Sequence, residues 1–203
     1  MLNQENRNGN TFNGNAFVDI TFLKDFKFTF NVGTTVNEIR YYTTTNPYYG
    51  FGAEQNGTVT MYHYRTTTLN LQQILNYSHN FGKHNISVML GHESYKYNYA
   101  ELSASKKNMF SYWGNHELNG AVIDGSSAAS YSNDYNTEGY FFRALYDYDA
   151  KYYFSASYRR DASSRFHPDH WWGNFYSVGG AYLMSKEDWF DVKWIDMLKI
   201  SSP

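Results

Sequence analysis

The chain has 203 residues, with 21 Tyr and 15 Phe, aromatics at 20%, charged residues at only 18% and a formal net charge of −2. That charge leaves no basic footprint for nucleic acid, and the absence of Cys excludes a disulfide scaffold and thiolate metal sites. No run approaches the roughly 18 apolar residues of a membrane helix, but a transmembrane barrel shows only a weak, alternating signal and stays open. The polar start, MLNQENRNGN, is not a signal peptide. The expectation is therefore an intracellular chain, or one whose true beginning lies upstream.

Met1 to Asn15 is Asn/Gly-rich and reads as a loop or frayed end. Ala16 to Leu23 alternates Ala16, Val18, Ile20 and Phe22 against Phe17, Asp19 and Thr21. After a tight turn at Lys24-Asp25, Phe26, Phe28, Phe30, Val32 and Val36 share one face, with Lys27, Thr29, Asn31, Thr35 and Asn37 on the other. One apolar and one polar face over about ten residues suits a tilted barrel strand, and equally a sandwich core. Tyr41 to Met61 reads as a long loop. Tyr62 to His79 alternates again, with Leu69, Leu71, Leu75 and Tyr77 against Thr68, Asn70, Gln72 and Asn76. A short turn at Asn80 to His84 returns the chain along Asn85 to Leu102, whose outer half carries a ladder of Tyr95, Tyr97 and Tyr99.

Ser103 to Asn136 reads as the longest irregular stretch, and loops of that length are functional or disordered. Thr137 to Tyr148 sets Tyr140, Phe142, Ala144, Tyr146 and Tyr148 against Arg143, Leu145 and Asp147. A tight turn at Asp149-Ala150 leads to Tyr152–Met184, two arms of period 2 around a polar loop, Arg160 to Gly173, that ends in a Trp pair. Ser185 to Met197 reads as a short amphipathic turn or helix, and Leu198 to Ile200 as the start of a strand. The connections alternate short and long. In a meander this puts short turns at one rim and long loops at the other, the layout of a membrane barrel. The fold class expected is all-β, an antiparallel up-and-down meander of about seven strands. A soluble carbohydrate-binding sandwich and a small closed barrel acting as adhesin or porin stand as alternatives.

From Tyr158 to Val178 the chain resembles the SusC/RagA family of TonB-dependent outer-membrane transporters. The resemblance is carried by Arg159-Arg160-Asp161-Ala162-Ser163-Ser164-Arg165-Phe166, then Trp172-Gly173-Asn174-Phe175 and Ser177-Val178. Leu23 to Phe28, Gly82 to Asn85 with Leu90 to Glu93, and Trp194 to Lys199 look like further stretches of the same barrel. Ala162, Trp171 and Tyr176 depart from the family's usual Gly, basic residue and Pro. The resemblance implies that residues 1–203 are one internal part of a much larger barrel in the cell outer membrane, with no plug domain, TonB box or signal peptide of their own. About seven strands cannot close a barrel of roughly 22. It also implies import of oligosaccharides or peptides, a SusD-like surface lipoprotein as partner, and energy from the TonB complex through N-terminal parts.

No nucleophile elbow, phosphate loop or HExxH occurs, so no enzyme, cofactor or metal is expected. His167 and His170 lack a third ligand for zinc, and the separations of Glu93, Glu101, Glu117 and Asp124 cannot be judged for a glycosidase pair. Loop aromatics are the ligand candidates, because flat rings offer stacking surfaces with a polar edge. They are Tyr48, Tyr49 and Phe51 in one loop, Tyr112 and Trp113 in another, and Trp171 in the third. Arg159, Arg160, Asp161, Arg165 and Trp172 are expected to pin the third loop as a structural network. Trp189 and Trp194 suit interfacial anchors.

Overall fold

Antiparallel pairing of sequential neighbours accounts for nearly the whole chain. The computed structural model describes residues 3–111, 114, 116–192 and 194–202, with the backbone alone at 123–127. Its strands are β1 (Gln4–Phe22), β2 (Phe26–Thr45), β3 (Thr58–Phe81), β4 (His84–Met109), β5 (Ala121–Tyr148), β6 (Tyr152–Ser163), β7 (Trp172–Leu183) and β8 (Lys199–Ser202). They form a single eight-stranded sheet in the order β1 to β8. One sheet in sequence order is a meander, and it overturns the sandwich alternative, which needs two packed sheets. Registers run from Tyr148↔Tyr152 to Thr137↔Ser163, from Tyr152↔Tyr182 to Ala162↔Trp172, and from Leu183↔Lys199 to Gly180↔Ser202.

Several stretches expected to be loops are strand. Residues 4–15 belong to β1; β2 and β3 leave only 46–57 between them, and β4 and β5 leave only 110–120. The loop expected from Arg160 shrinks to 164–171, and among the described residues of 185–197, read as a short turn or helix, the regular element is the 3-10 turn Met184–Lys186 at the start. The strand count is eight rather than seven. The strand extensions share a physical reason. Their polar residues interrupt amphipathic alternation, but Thr and Tyr favour strand and each ladder satisfies its backbone whatever the side chains are.

The chain divides into two compact units, Met1–Gly14, Thr34–Leu69 and Tyr97–Asp134 in one, Asn15–Gly33, Asn70–Lys96 and Tyr135–Pro203 in the other. The first has a small core of Val59, Met109 and Ala121, with Met61 and Leu118 packed against it. The second has two contrasting faces, as period 2 demands. On the polar face Thr29 Oγ1 donates to Asp19 (2.6 Å), Asn31 to Gln72 (3.0 Å), Asn85 to Asp147 (2.9 Å), and the hydroxyls of Ser157 and Ser177 lie 2.8 Å apart. The other face is apolar and open: Val18, Leu90, Phe154 and Val178 are 53%, 50%, 58% and 72% exposed. Each such side chain forgoes about 1.5–3 kcal/mol if it faces water rather than an apolar phase.

Short turns close one end of the second unit at residues 23–25, 82–83 and 149–151. Leu23 and Lys24 have φ of 49° and 63°, and Asp149 and Ala150 have 53° and 51°. Positive φ at both central residues is the two-residue hairpin geometry that matches strand twist. Aromatic rings line the apolar face beside these turns. Phe22 stacks on Phe26 at 5.4 Å, Phe26 lies 4.8 Å from Tyr77, Tyr148 6.3 Å from Tyr152, and Tyr152 4.9 Å from Tyr182.

Candidate functional site

The residues expected to pin the third loop fall into three separate groupings. Arg159 and Asp161 are two apart on β6 and so share a face. The Arg159 Nε donates to both Asp161 oxygens at 2.7 and 2.8 Å, its Nη2 lies 3.5 Å from Glu93, and its guanidinium sits 5.5 Å from the centre of the Phe141 ring. Gly139 stands opposite Asp161 in the β5–β6 register. A Cβ there would come within 2.6 Å of the Asp161 carboxylate and 3.1 Å of Arg159, so a side chain at this position would make the pair shift. Arg160 points to the opposite face and lies 4.8 Å over Trp172, which in turn stacks on Tyr140 at 6.0 Å. Arg165 lies 3.9 Å over Tyr135. Such cation–π contacts are worth about 0.5–1 kcal/mol when exposed.

Arg159, Asp161, Glu93, Phe166 and Trp171 line a cavity of about 630 Å³ in this unit. The indole of Trp171 donates to the Phe166 carbonyl at 2.8 Å, tying the loop across its own base, while 41% of the residue stays exposed. In the other unit Tyr48, Tyr49 and Phe51 are 68%, 49% and 97% exposed. Their loop is clipped below. Buried Asn46 receives the Tyr48 N–H on Oδ1 (2.8 Å) and donates its own N–H to Asn3 Oδ1 (3.0 Å), and the hydroxyls of Thr45 and Thr58 lie 2.6 Å apart. Tyr112 and Trp113 lie outside the described residues. Among the described residues no group of three or more His, Asp or Glu is placed to hold a metal ion.

Two features went unread in the sequence. One is a row of tyrosines on the first unit: Tyr41 lies 5.6 Å from Tyr62, Tyr62 6.0 Å from Tyr64, Tyr64 6.4 Å from Tyr99, and Tyr99 6.2 Å from Tyr131. The ladder at Tyr95–Tyr99 hinted at it, but the row crosses strands, and only pairing reveals that direction. The other is a charge cluster at the turn end. Glu187 accepts from Tyr152 (2.9 Å), Lys151 (3.1 Å) and Tyr182 (3.2 Å). The Tyr152 hydrogen bond first, then Lys151, holds its carboxyl below the usual range. The same carboxylate raises Lys151, and Asp149, 3.0 Å away, raises Lys83.

A meander with one apolar and one polar face, hairpin turns at one end and aromatic rings beside them is a stretch of membrane-barrel wall. No family model matches the chain. It is 29% identical over 191 residues to TonB-dependent receptor P3 of Formosa agariphila, a match covering 91% of the chain and 18% of the receptor. It is 26% identical over 208 residues to TonB-dependent receptor SusC of Bacteroides thetaiotaomicron, covering 98% of the chain and 20% of that receptor. The structure of the RagAB peptide importer in its closed-closed state superposes with a TM-score of 0.90 at 22% identity, over 98% of this chain and 22% of the other. The chain thus spans about a fifth of the length of the curated relatives it matches. It is SusC/RagA-like: in sequence it matches TonB-dependent receptors, and its fold is that of a stretch of their barrel. The names of these relatives are those of receptors, not of enzymes.

Proposed function

We propose that the chain forms barrel wall in a TonB-dependent outer-membrane importer that takes up oligosaccharides or peptides together with a SusD-like surface lipoprotein. The observation that carries this reading is the sustained split of the second unit into a hydrogen-bonded polar face and an exposed apolar face edged by aromatic rings. In water that apolar face would drive aggregation; against acyl chains it is the stable arrangement. The short turns then face the periplasm and the longer connections the exterior. All of residues 1–203 is barrel in this reading, and the plug and TonB contact belong to other parts of the protein. In hydrocarbon each unpaired backbone group costs several kcal/mol, so β1 and β8, each with one neighbour in the sheet, pair with further strands. In this reading the exposed rings of Tyr48, Tyr49, Phe51 and Trp171 meet the ligand or the lipoprotein lid at the exterior. Arg159, Arg160, Asp161, Arg165 and Trp172 hold the third loop to the wall.

The test is lipid exposure. Fluorophores attached at Phe28→Cys, Val88→Cys and Phe142→Cys should be quenched by brominated acyl chains in vesicles, and those at Thr29→Cys, Ser87→Cys and Arg143→Cys should not. Equal quenching of the two sets would sink the proposal.

A further inference from the structure

We infer that the tyrosine row on the first unit is a binding site for an uncharged oligosaccharide. The inference rests on the importer reading, since it takes the polar face as the one lining the solute path. Tyr41 stands on β2, Tyr62 and Tyr64 on β3, Tyr99 on β4 and Tyr131 on β5, so the row crosses four paired strands on one face, ring following ring at 5.6–6.4 Å. The rings are not core. The buried apolar cluster of this unit is Val59, Met109 and Ala121, and Tyr131 is 59% exposed.

A cavity of about 460 Å³ opens along the row between Tyr41, Tyr64 and Tyr99. Asn37, Thr66, Glu5 and Arg7 also line it, so amide, hydroxyl, carboxylate and guanidinium groups surround the rings. That volume lies in the range of small-ligand sites, which pair apolar walls with a few placed polar groups. The Tyr99 hydroxyl donates to Glu101 at 2.9 Å, which fixes the orientation of that ring.

The chemistry favours a neutral sugar. Pyranose faces are flat and carry C–H groups that stack on aromatic rings, while their rims carry hydroxyls that need the donors and acceptors found here. Glu5 and Arg7 carry opposite charges, so the cavity does not select for an anion or a cation. A peptide docks most readily by adding a strand to an open sheet edge, and this row crosses strands that are already paired on both sides.

The experiment is isothermal titration of the complete gene product, in detergent micelles, with short uncharged oligosaccharides (glucans, xylans, mannans and fructans) and with uncharged peptides of similar size. At least one sugar should bind. Tyr64→Ala with Tyr99→Ala should weaken it about tenfold or more, Tyr64→Phe with Tyr99→Phe only a few-fold, since stacking survives loss of the hydroxyls. Tyr131→Ala, at the exposed end of the row, should weaken it a few-fold without altering the thermal melt. No sugar bound, sugar binding indifferent to all three variants, or peptide binding that alone depends on these tyrosines, overturns the inference. If lipid quenching succeeds and sugar binding fails, the site is wrong and the importer reading stands; if lipid quenching itself fails, the importer reading falls.

Discussion

Glycine to alanine within a strand ordinarily stabilises, by roughly 0.5–1 kcal/mol, because glycine loses more chain entropy on folding. Gly91 on β4 should reverse that sign. A Cβ at this position would sit 2.0 Å from Phe141 Cε2, 2.1 Å from Cζ and 2.7 Å from Cδ2. The Phe141 ring therefore occupies the space over the bare glycine backbone, a device that covers a weak strand position with an aromatic from its neighbour. Ordinary contact begins near 3.4 Å, so the ring would have to retreat by about 1.4 Å. It is not free to do so at no cost, because the Arg159 guanidinium sits 5.5 Å from its centre and is itself held by Asp161 and Glu93. Overpacking of this kind costs about 1–3 kcal/mol, which exceeds the entropic gain. Urea titration of the complete gene product in lipid vesicles, with midpoint and slope both fitted, should show Gly91→Ala less stable by that amount. In a Phe141→Ala background the same substitution should be neutral or stabilising, and the difference between the two backgrounds is the coupling. If Gly91→Ala is harmless with Phe141 in place, or equally harmful without it, the packing argument is wrong.

Three further outcomes follow from the same geometry. Phe30→Arg, on the apolar face of β2, should cost about 2–4 kcal/mol in a bilayer, whereas Asn31→Arg should cost only the Gln72 hydrogen bond, about 1 kcal/mol, by the same titration. Ala150→Gly should stabilise by about 0.5–1 kcal/mol, since φ of 51° penalises alanine by roughly 1–2 kcal/mol and glycine returns part of the gain as chain entropy. Glu187 titrates below its usual 4.5, so its contribution is present above that pH and is lost as pH falls through the lowered value; Lys151 and Lys83 titrate above 10.5, so theirs is complete below that pH and lost as pH rises through the raised values. Fluorescence of Trp189 should accordingly stay constant between the two limits and change outside both, and Glu187→Gln should abolish the acid change and leave only the Lys83 part of the alkaline one.

What could be read from the sequence was the part of each strand that meets two different environments. Phe26, Phe28 and Phe30 alternate with Lys27, Thr29 and Asn31 because one face is hydrogen-bonded and polar and the other is apolar, and the turns at 23–25, 82–83 and 149–151 end those patterns where expected. The outer halves gave no such signal. Ser103–Met109 in β4 and 121–136 in β5 carry no sustained apolar alternation, and their order comes from pairing partners tens of residues away, which no local window contains. The same limit hid the arrangement around the third loop. Arg159 and Arg160 are adjacent in sequence and read as one group, yet alternation sends the first to Asp161 and Glu93 and the second to Trp172 on the other face. That Gly91 lies beneath Phe141 could not be read at all without the β4–β5 register.

The strand extensions change what the first unit can do. A flexible loop pays conformational entropy when it grips a ligand, roughly 1–2 kcal/mol for each residue that becomes fixed. Tyr41, Tyr62, Tyr64, Tyr99 and Tyr131 stand on strands that are paired before any ligand arrives, so that entropy has already been spent in folding. The small core of Val59, Met109 and Ala121, with Met61 and Leu118, anchors the unit where 46–57 and 110–120 leave the sheet. Phe51, 97% exposed on its 3-10 turn, has no comparable support. Preorganised rings favour affinity at low ordering cost, while exposed loop rings favour adaptation to ligands or partners of varied shape. Substitutions in the tyrosine row should therefore lower affinity for one ligand class, and substitutions at Tyr48, Tyr49 or Phe51 should alter which ligands or partners are captured.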